Sequence, residues 1–358
     1  MDPNFPPEIL KNIFGFATFT ATSLNVMDWD PWPESSSPEN TDPTLCYQST
    51  LSTKKALTLF SRKFREMSLE YLFELVQLFH THHAQMLLNT IFSHIAATIE
   101  GIHTGNSPAK WIKYIIVALD PAPDRHSDSN SMDGVLKKIF PFCVHLVAFG
   151  WKSTEKETGP STLLPSIPLT ITTLQWHRQS TGRSFYSLRN HTALRNLRES
   201  NLLCTSREEE PVITMPFVTH LDIRTPFSQL AISDWDLPST SHLTLDRPGH
   251  HHFKTLLGKC AEAIRSIYIT DPQRCGFGDF PRILASMPHL KTFSYGIAVN
   301  TYHQPPFAST WLAFIAIHLS PTYTYFVVAV SLGTPWGEHS RKSEISFPST
   351  SSLLRPVI

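Results

Sequence analysis

Seven short segments between residues 100 and 300 carry the same pattern: VHLVAF, TTLQWH, RNLRES, THLDIR, SHLTLD, RSIYIT and PHLKTF. Their central apolar residues are Leu146, Leu174, Leu197, Leu221, Leu243, Ile267 and Leu290; subtraction gives spacings of 28, 23, 24, 22, 24 and 23 residues. A unit this short cannot bury its own apolar side, so copies must stack and share one core. WIKYIIVAL, around Ile115, reads as an earlier copy.

The spacers have the period of helices. HHFKTLLGKCAEAI sets Phe253, Leu256, Leu257 and Cys260 at i, i+3, i+4 and i+7, and DFPRILASM sets Phe280, Ile283, Leu284 and Met287 at the same offsets. SMDGVLKKIF is a further short helix, while the proline-rich spacers at 160–168 and 205–216 read as loops. Short helix followed by short strand, repeated, predicts strands side by side in one parallel sheet. The period near 24 falls in the leucine-rich-repeat range. The match is degenerate: the strand is at best apolar-x-apolar, the usual asparagine after it is missing, and RNLRES is a poor strand. The expected fold is therefore α + α/β, N-terminal helices followed by an irregular solenoid over 79–300. An ordinary α/β domain with evenly spaced strands is the alternative. After Pro305 no copy is expected, leaving 301–358 as a C-terminal segment that ends in the tail EISFPSTSSLLRPVI. WLAFIAIHLSPTYTYFVVAV, residues 311–330, has membrane-spanning length, but His318, Ser320, Pro321, Thr322 and Thr324 interrupt it. A core helix, a proline break and a buried strand are expected there.

Ahead of the array, Pro6-Pro7-Glu8 is suited to a first helical turn, and Ile9, Leu10, Ile13, Phe14 and Ala17 follow as one stripe. Phe5 could pack back as a staple. DWDPWPESSSPENTDP then breaks the pattern, so about 20–53 is read as a loop insert. Periodicity returns in KKALTLFSRKFREMSLEYLFELVQL, where Ala56, Leu59, Phe60, Phe64, Met67 and Tyr71 form a second stripe and a strand begins near Leu72. Two such helices are too small for a core of their own.

PPEILKNIF resembles the first helix of the F-box, and ALTLFSRKFREMSLEYLF resembles its later part. With Glu-Tyr-Leu-Phe, residues 1–78 are similar to the expanded F-box family of mushroom-forming fungi. The departures are Phe5 for the family's leading leucine, Phe64 for its usual tryptophan, and the insert of about thirty residues. The resemblance implies a substrate-recognition adaptor of a cullin–RING (SCF-type) ubiquitin ligase. The N-terminal part would bind the Skp-family linker and the repeats would hold an unknown target protein. It implies linker contacts among Pro7, Ile9, Leu10, Ile13, Phe14, Leu59, Phe60 and Phe64. The alternative is a leucine-rich-repeat-like interaction scaffold with no ubiquitin-ligase role.

Composition narrows the chemistry. Lys plus Arg and Asp plus Glu are both 30, which argues against nucleic-acid binding by bulk charge. Glycine is scarce at 14 against 28 prolines, which disfavours glycine-rich phosphate cradles. The cysteines at 46, 143, 204, 260 and 275 are dispersed and read as reduced thiols; no secretory signal pattern opens the chain. A cytoplasmic or nuclear protein that is not embedded in a membrane is expected. His80-Thr81-His82-His83 and His250-His251-His252 lack the helical pair plus carboxylate of zinc enzymes. No Gly-x-Ser-x-Gly elbow or Walker loop occurs. Accordingly no catalytic, cofactor or metal residue is nominated, and an enzyme is not expected. Trp176, Trp235, Tyr268, Phe293 and Tyr295 lie in or near the repeat strands; aromatics there suit a recognition surface, with Trp176 expected to face the core.

Overall fold

A computed structural model describes residues 6–18, 43–101, 107–119, 128–152, 162–178, 180–181, 185–199, 202–203, 213–223, 235–245, 256–269, 286–299 and 325–332. Three helices come first: α1 (Pro7–Thr18), α2 (Pro43–Phe60) and α3 (Arg62–Glu74). Then come β1 (Leu75–Leu78), α4 (Thr81–Ile99), β2 (Tyr114–Val117), α5 (Asp128–Ile139), β3 (Ala148–Trp151) and β4 (Thr173–Trp176). The remaining strands are β5 (Ser180–Thr181), β6 (Asn196–Glu199), β7 (Leu202–Leu203), β8 (Ile213–Thr214), β9 (His220–Ile223), β10 (Trp235–Asp236), β11 (His242–Leu245), β12 (Ser266–Ile269), β13 (Thr292–Val299) and β14 (Tyr325–Leu332).

Ten of these strands form one parallel sheet in the order β1-β2-β3-β4-β6-β9-β11-β12-β13-β14. The order never reverses. A doubly wound α/β sheet reverses at a switch point; a solenoid adds each strand beside the last. The two-residue strands add shorter parallel pairs, β5 with β7 and β8 with β10.

Register explains why the copies stack. In five copies the pattern is apolar-x-x-apolar-x-apolar: Ile112-x-x-Ile115-x-Val117, Leu146-x-x-Phe149-x-Trp151, Ile171-x-x-Leu174-x-Trp176, Val218-x-x-Leu221-x-Ile223 and Ile264-x-x-Ile267-x-Ile269. Every one of these fifteen side chains is at most 1% exposed. The middle residues pair directly across the ladder, from Ile115 through Phe149, Leu174, Leu197, Leu221, Leu243 and Ile267 to Phe293. Strand alternation sends middle and trailing residues to the same side. Each fully buried aliphatic stabilises the stack by about 1.5–3 kcal/mol.

The backbone repeats as closely. Just before each strand of the ladder from β2 to β12, one carbonyl accepts two successive amides of the next copy. Thr172 O takes Arg195 N and Asn196 N at 2.8 and 3.0 Å, Arg195 O takes Thr219 N and His220 N at 2.8 and 3.0 Å, and Ser241 O takes Arg265 N and Ser266 N at 2.8 and 3.0 Å. This satisfies backbone groups at the turn into each strand, where they would otherwise be left unpaired.

The other side of the core is built from helices and single 3-10 turns, including Pro108–Lys110, Phe140–Phe142, Leu164–Ser166 and Ser187–Asn190. α4 packs through Ala84, Leu87, Leu88 and Ile91 and ends at Gly101, whose φ of 71° suits a residue without a Cβ. Residues 256–260 are helical and bury Leu256, Leu257 and Cys260 as their spacing predicts. Most of DFPRILASM lies outside the described residues.

Several expectations are corrected. Leu146 and Leu290 are not strand centres. They occupy the leading position, three residues before Phe149 and Phe293, which pair in the ladder. RNLRES does form a strand, β6, because Leu194 and Leu197 supply two core positions and β4 and β9 flank it. Residues 43–53 are not part of a loop: past Pro43 no proline or glycine interrupts TLCYQSTLSTKKALTLF, and α2 begins there. The second stripe is two helices rather than one. Ser61 is extended (φ −158°, ψ 164°) and its hydroxyl accepts Phe64 N at 3.1 Å, ending α2 and capping α3. The first strand begins at Leu75 rather than near Leu72. The ladder also continues past Pro305, since β14 pairs in parallel with β13 from Thr292↔Tyr325 to Val299↔Leu332. Residues 19–42 and 300–324 and the final tail lie outside the described residues, and among those described no helix is long and apolar enough to cross a membrane.

Candidate interaction surfaces

The three N-terminal helices form one packed corner. Phe14 of α1 meets Phe64 of α3 edge to face at 5.1 Å, and Phe64 stacks on Phe60 at the end of α2 at 5.0 Å. Tyr71 Oη donates to Lys11 O at 2.9 Å, and its ring lies beside Gly15. Arg65 Nε donates to Thr58 O at 3.1 Å across the α2–α3 break.

This packing sorts the residues nominated from sequence. Leu10 and Phe14 are buried and hold the helices together, with Thr18 one turn further on the same side. Phe64 is half-buried between two rings. Ile9 and Ile13 are 45% and 47% exposed, and Leu59 and Phe60 are 75% and 77% exposed. Pro7 opens α1; its side chain lies outside the described set. Phe16, 86% exposed, was missed. It falls three residues after Ile13 and seven after Ile9, on the face opposite Leu10 and Phe14, so helical spacing alone could have found it.

The second candidate is the sheet face turned away from the main core, most of whose polar side chains are buried, with Arg198, His220 and His242 partly exposed. It is laid out in two rows, one on each side of the middle residues. Along β4, β6, β9, β11 and β12 the first row runs Thr173, Asn196, His220, His242, Ser266, and the second runs Gln175, Arg198, Asp222, Thr244, Tyr268. At β1–β3 the same face is mostly apolar: Leu75, Ile116 and Ala148 cluster there, with Leu51 of α2 packed on them, and Gln77, registered with Ile116, is a buried polar exception. The N-terminal corner therefore sits on the first strands, and from β4 onward both rows are polar or bear polar groups. Lys54 of α2 is buried in this region; desolvation pulls its pKa down, against the opposing effect of Glu74.

The polar rows are mostly neutral. Arg198 and Asp222 form an ion pair at 2.5 Å. The rings of His220 and His242 are parallel within 6° at 4.3 Å. Burial depresses His220 to about 4, with His242 a second cause, and burial followed by Arg265 depresses His242. Thr173 Oγ1, Gln175 Oε1 and Asn196 Oδ1 are buried with no hydrogen-bond partner among the described residues. Such atoms cost stability until something satisfies them.

The aromatics fall differently from expectation. Trp176 is in the core as expected, but Trp235 and Phe293 are there too, so neither offers a recognition anchor. Tyr268 is on the polar face and, like most of that face, buried. Among the described residues no three His, Cys, Asp or Glu side chains converge as metal ligands. His82 and His83 lie in the first turn of α4 and His80 just before it, with rings tilted rather than convergent. His250–His252 lie outside the described residues.

No protein-family model matches the chain, and no curated protein matches it. Among solved structures it is similar to the leucine-rich repeat-containing protein LegL7 from Legionella pneumophila, at 14% identity and a TM-score of 0.33, over 53% of this chain and 67% of that one. It is also similar to an internalin from Listeria monocytogenes, at 12% identity and a TM-score of 0.28, over 53% of this chain and about half, 51%, of that one. The leucine-rich-repeat-like character rests on the register of this chain's own strands.

Proposed function

We propose that this chain is a protein-interaction scaffold, in which the N-terminal helices dock one protein and the repeat region holds another. The observation that carries this is the division of α1: Leu10 and Phe14 are buried, whereas Ile9, Ile13 and Phe16 project outward together. A helix kept only as a cap has no need of a second apolar stripe facing solvent, and an amphipathic face of this kind fits a groove on a partner.

The resemblance of PPEILKNIF to the F-box supports a finer reading. The docked protein would be the Skp-family linker of a cullin–RING ligase, and the sheet would present a target for ubiquitin transfer. The ligase's other subunits would supply the chemistry; this chain would supply proximity and orientation. Leu51 packed on β1–β3 supports a fixed relation between the two surfaces. A scaffold outside any ligase needs the exposed stripe but not the linker.

The test is a binding titration of the full chain with a purified Skp-family linker, beside an Ile9→Asp/Ile13→Asp variant. Binding that disappears in a variant with unchanged helicity supports the adaptor. No binding by the intact chain removes the ligase role and leaves the scaffold.

A further inference from the structure

The residues just before the strands form a row of their own along the entry edge of the sheet. It runs Glu74, Lys113, Val147, Thr172, Arg195, Thr219, Ser241, Arg265, Lys291, and the amide of each donates to the carbonyl of the one before. Glu74 and Lys113 close on each other at 2.8 Å. The rest of the row bears Arg195, Arg265 and Lys291 and no carboxylate. Arg265 and Lys291 are exposed immediate neighbours of like charge, an arrangement that costs stability. Arg195 is held in place: its Nη1 donates to Thr192 O at 2.7 Å, and its guanidinium lies 5.2 Å from the ring centre of Phe217, itself 43% exposed. Between the cations, the Thr219 and Ser241 hydroxyls donate to the carbonyls of Arg195 and Thr219 and add no charge. Glu262, three residues before Arg265, is exposed. Among the described residues neither it nor any other carboxylate forms an ion pair with the three cations. The whole chain balances 30 acidic against 30 basic residues, so the single sign of this stretch is local.

We infer that this entry edge, from β6 to β13, docks an extended acidic segment of a partner protein. The inference rests on the reading of the repeat region as a protein-binding surface and gives that reading a place and a chemistry. Strands about 4.8 Å apart put Arg195 and Arg265, three strands from each other, about 14 Å apart along the edge. An extended chain advances about 3.4 Å per residue and sends alternate side chains to one side. Carboxylates at i and i+4 of such a segment therefore meet Arg195 and Arg265 together. Lys291 adds a second cation beside Arg265, and the Phe217 ring offers an apolar contact beside Arg195. A nucleic acid matches the row less well. A duplex carries a phosphate charge about every 1.7 Å, and here the interval between cations is filled by uncharged Thr219 and Ser241.

Thermophoresis of the labelled full chain at low salt tests this. The probes are a peptide with glutamates spaced four residues apart in a glycine–serine background, the same peptide with glutamine instead, and a thymidine oligonucleotide of equal charge. The glutamate peptide should bind in the millimolar range, more weakly as salt rises, and the glutamine peptide should not bind. An Arg265→Gln/Lys291→Gln variant should bind the glutamate peptide at least about fivefold more weakly. Lys55→Gln/Lys63→Gln, the same change of charge at exposed positions of the N-terminal helices, should bind as the wild type does. No binding of the glutamate peptide, equal binding of the glutamine peptide, equal loss in both variants, or tighter binding of the oligonucleotide would overturn the edge. A partner protein held by the repeat region with the same affinity in Arg265→Gln/Lys291→Gln would overturn it too, and would leave the scaffold reading standing.

Discussion

The Thr240 hydroxyl donates to the Val218 carbonyl at 3.2 Å, and these two residues hold the same leading position in neighbouring copies. Other copies place an aliphatic side chain there. Thr240 is fully buried nonetheless, because its hydroxyl bonds to the backbone of the copy before. Thr240→Val should be close to neutral: a hydrogen bond of about 1 kcal/mol is lost, and burial of a methyl group worth about 0.8 kcal/mol offsets it. Leu243→Ala, at the middle position of the same copy, should cost about 2–5 kcal/mol. Urea denaturation of the two variants checks both.

The two sides of α1 should separate in mutagenesis. Phe14→Ala removes a ring packed on Phe64 and should destabilise the N-terminal corner by about 3–5 kcal/mol. Ile9→Asp and Ile13→Asp should change the unfolding free energy by no more than about 0.5 kcal/mol, since both side chains already meet solvent. Circular dichroism during denaturation measures the contrast.

Arg178 and Asp133 form a buried ion pair at 2.6 Å that ties α5 to the exit of β4, with the guanidinium over the Trp151 ring at 5.0 Å. Removing one partner takes the counter-charge from a buried ion, so Asp133→Leu or Arg178→Met alone should cost about 3–5 kcal/mol. The double variant should be less damaged than the sum of the two. A double-mutant cycle gives the coupling directly.

Cys143 and Cys260 are buried free thiols, and burial pushes both up to about 12. The reactive thiolate is then scarce at pH 8. Iodoacetamide should leave both unlabelled in the native protein and modify both in 6 M guanidinium, as read by peptide mass spectrometry.

The strand period was legible because it is written in single residues: Leu174, Leu197, Leu221, Leu243 and Ile267 each recur after 22 to 24 positions by subtraction. The phase was legible only in part. Leu146 and Leu290 look like strand centres beside His145 and His289, yet they lead their copies, since one apolar residue resembles another until neighbouring strands fix register. RNLRES lacks strand propensity and is a strand through its flanking neighbours, a tertiary effect that local sequence does not carry. The Ser61 break was hidden because an apolar stripe runs across it, whereas only the extended backbone and the cap reveal it. On α1 the spacing located the helix, but Leu10 and Ile9 are equally apolar; only α2 and α3 decide which one is covered. The polar rows were invisible for a similar reason. His220, Asp222, His242 and Thr244 are scattered in sequence and become rows only when the strands align.

The most direct measurement of the account is a set of spin-label distances along the sheet. Labels at Lys113→Cys and Arg195→Cys, and at Lys113→Cys and Arg265→Cys, would sit just before β2, β6 and β12, with Cys46, Cys204 and Cys275 replaced by serine. Consecutive parallel strands about 4.8 Å apart place the first pair about 14 Å and the second about 29 Å apart. Distances that grow with each copy in this way are the predicted result. An Arg265 label as near to Lys113 as the Arg195 label, or nearer, would mean that the strand order reverses and that the chain is not a solenoid.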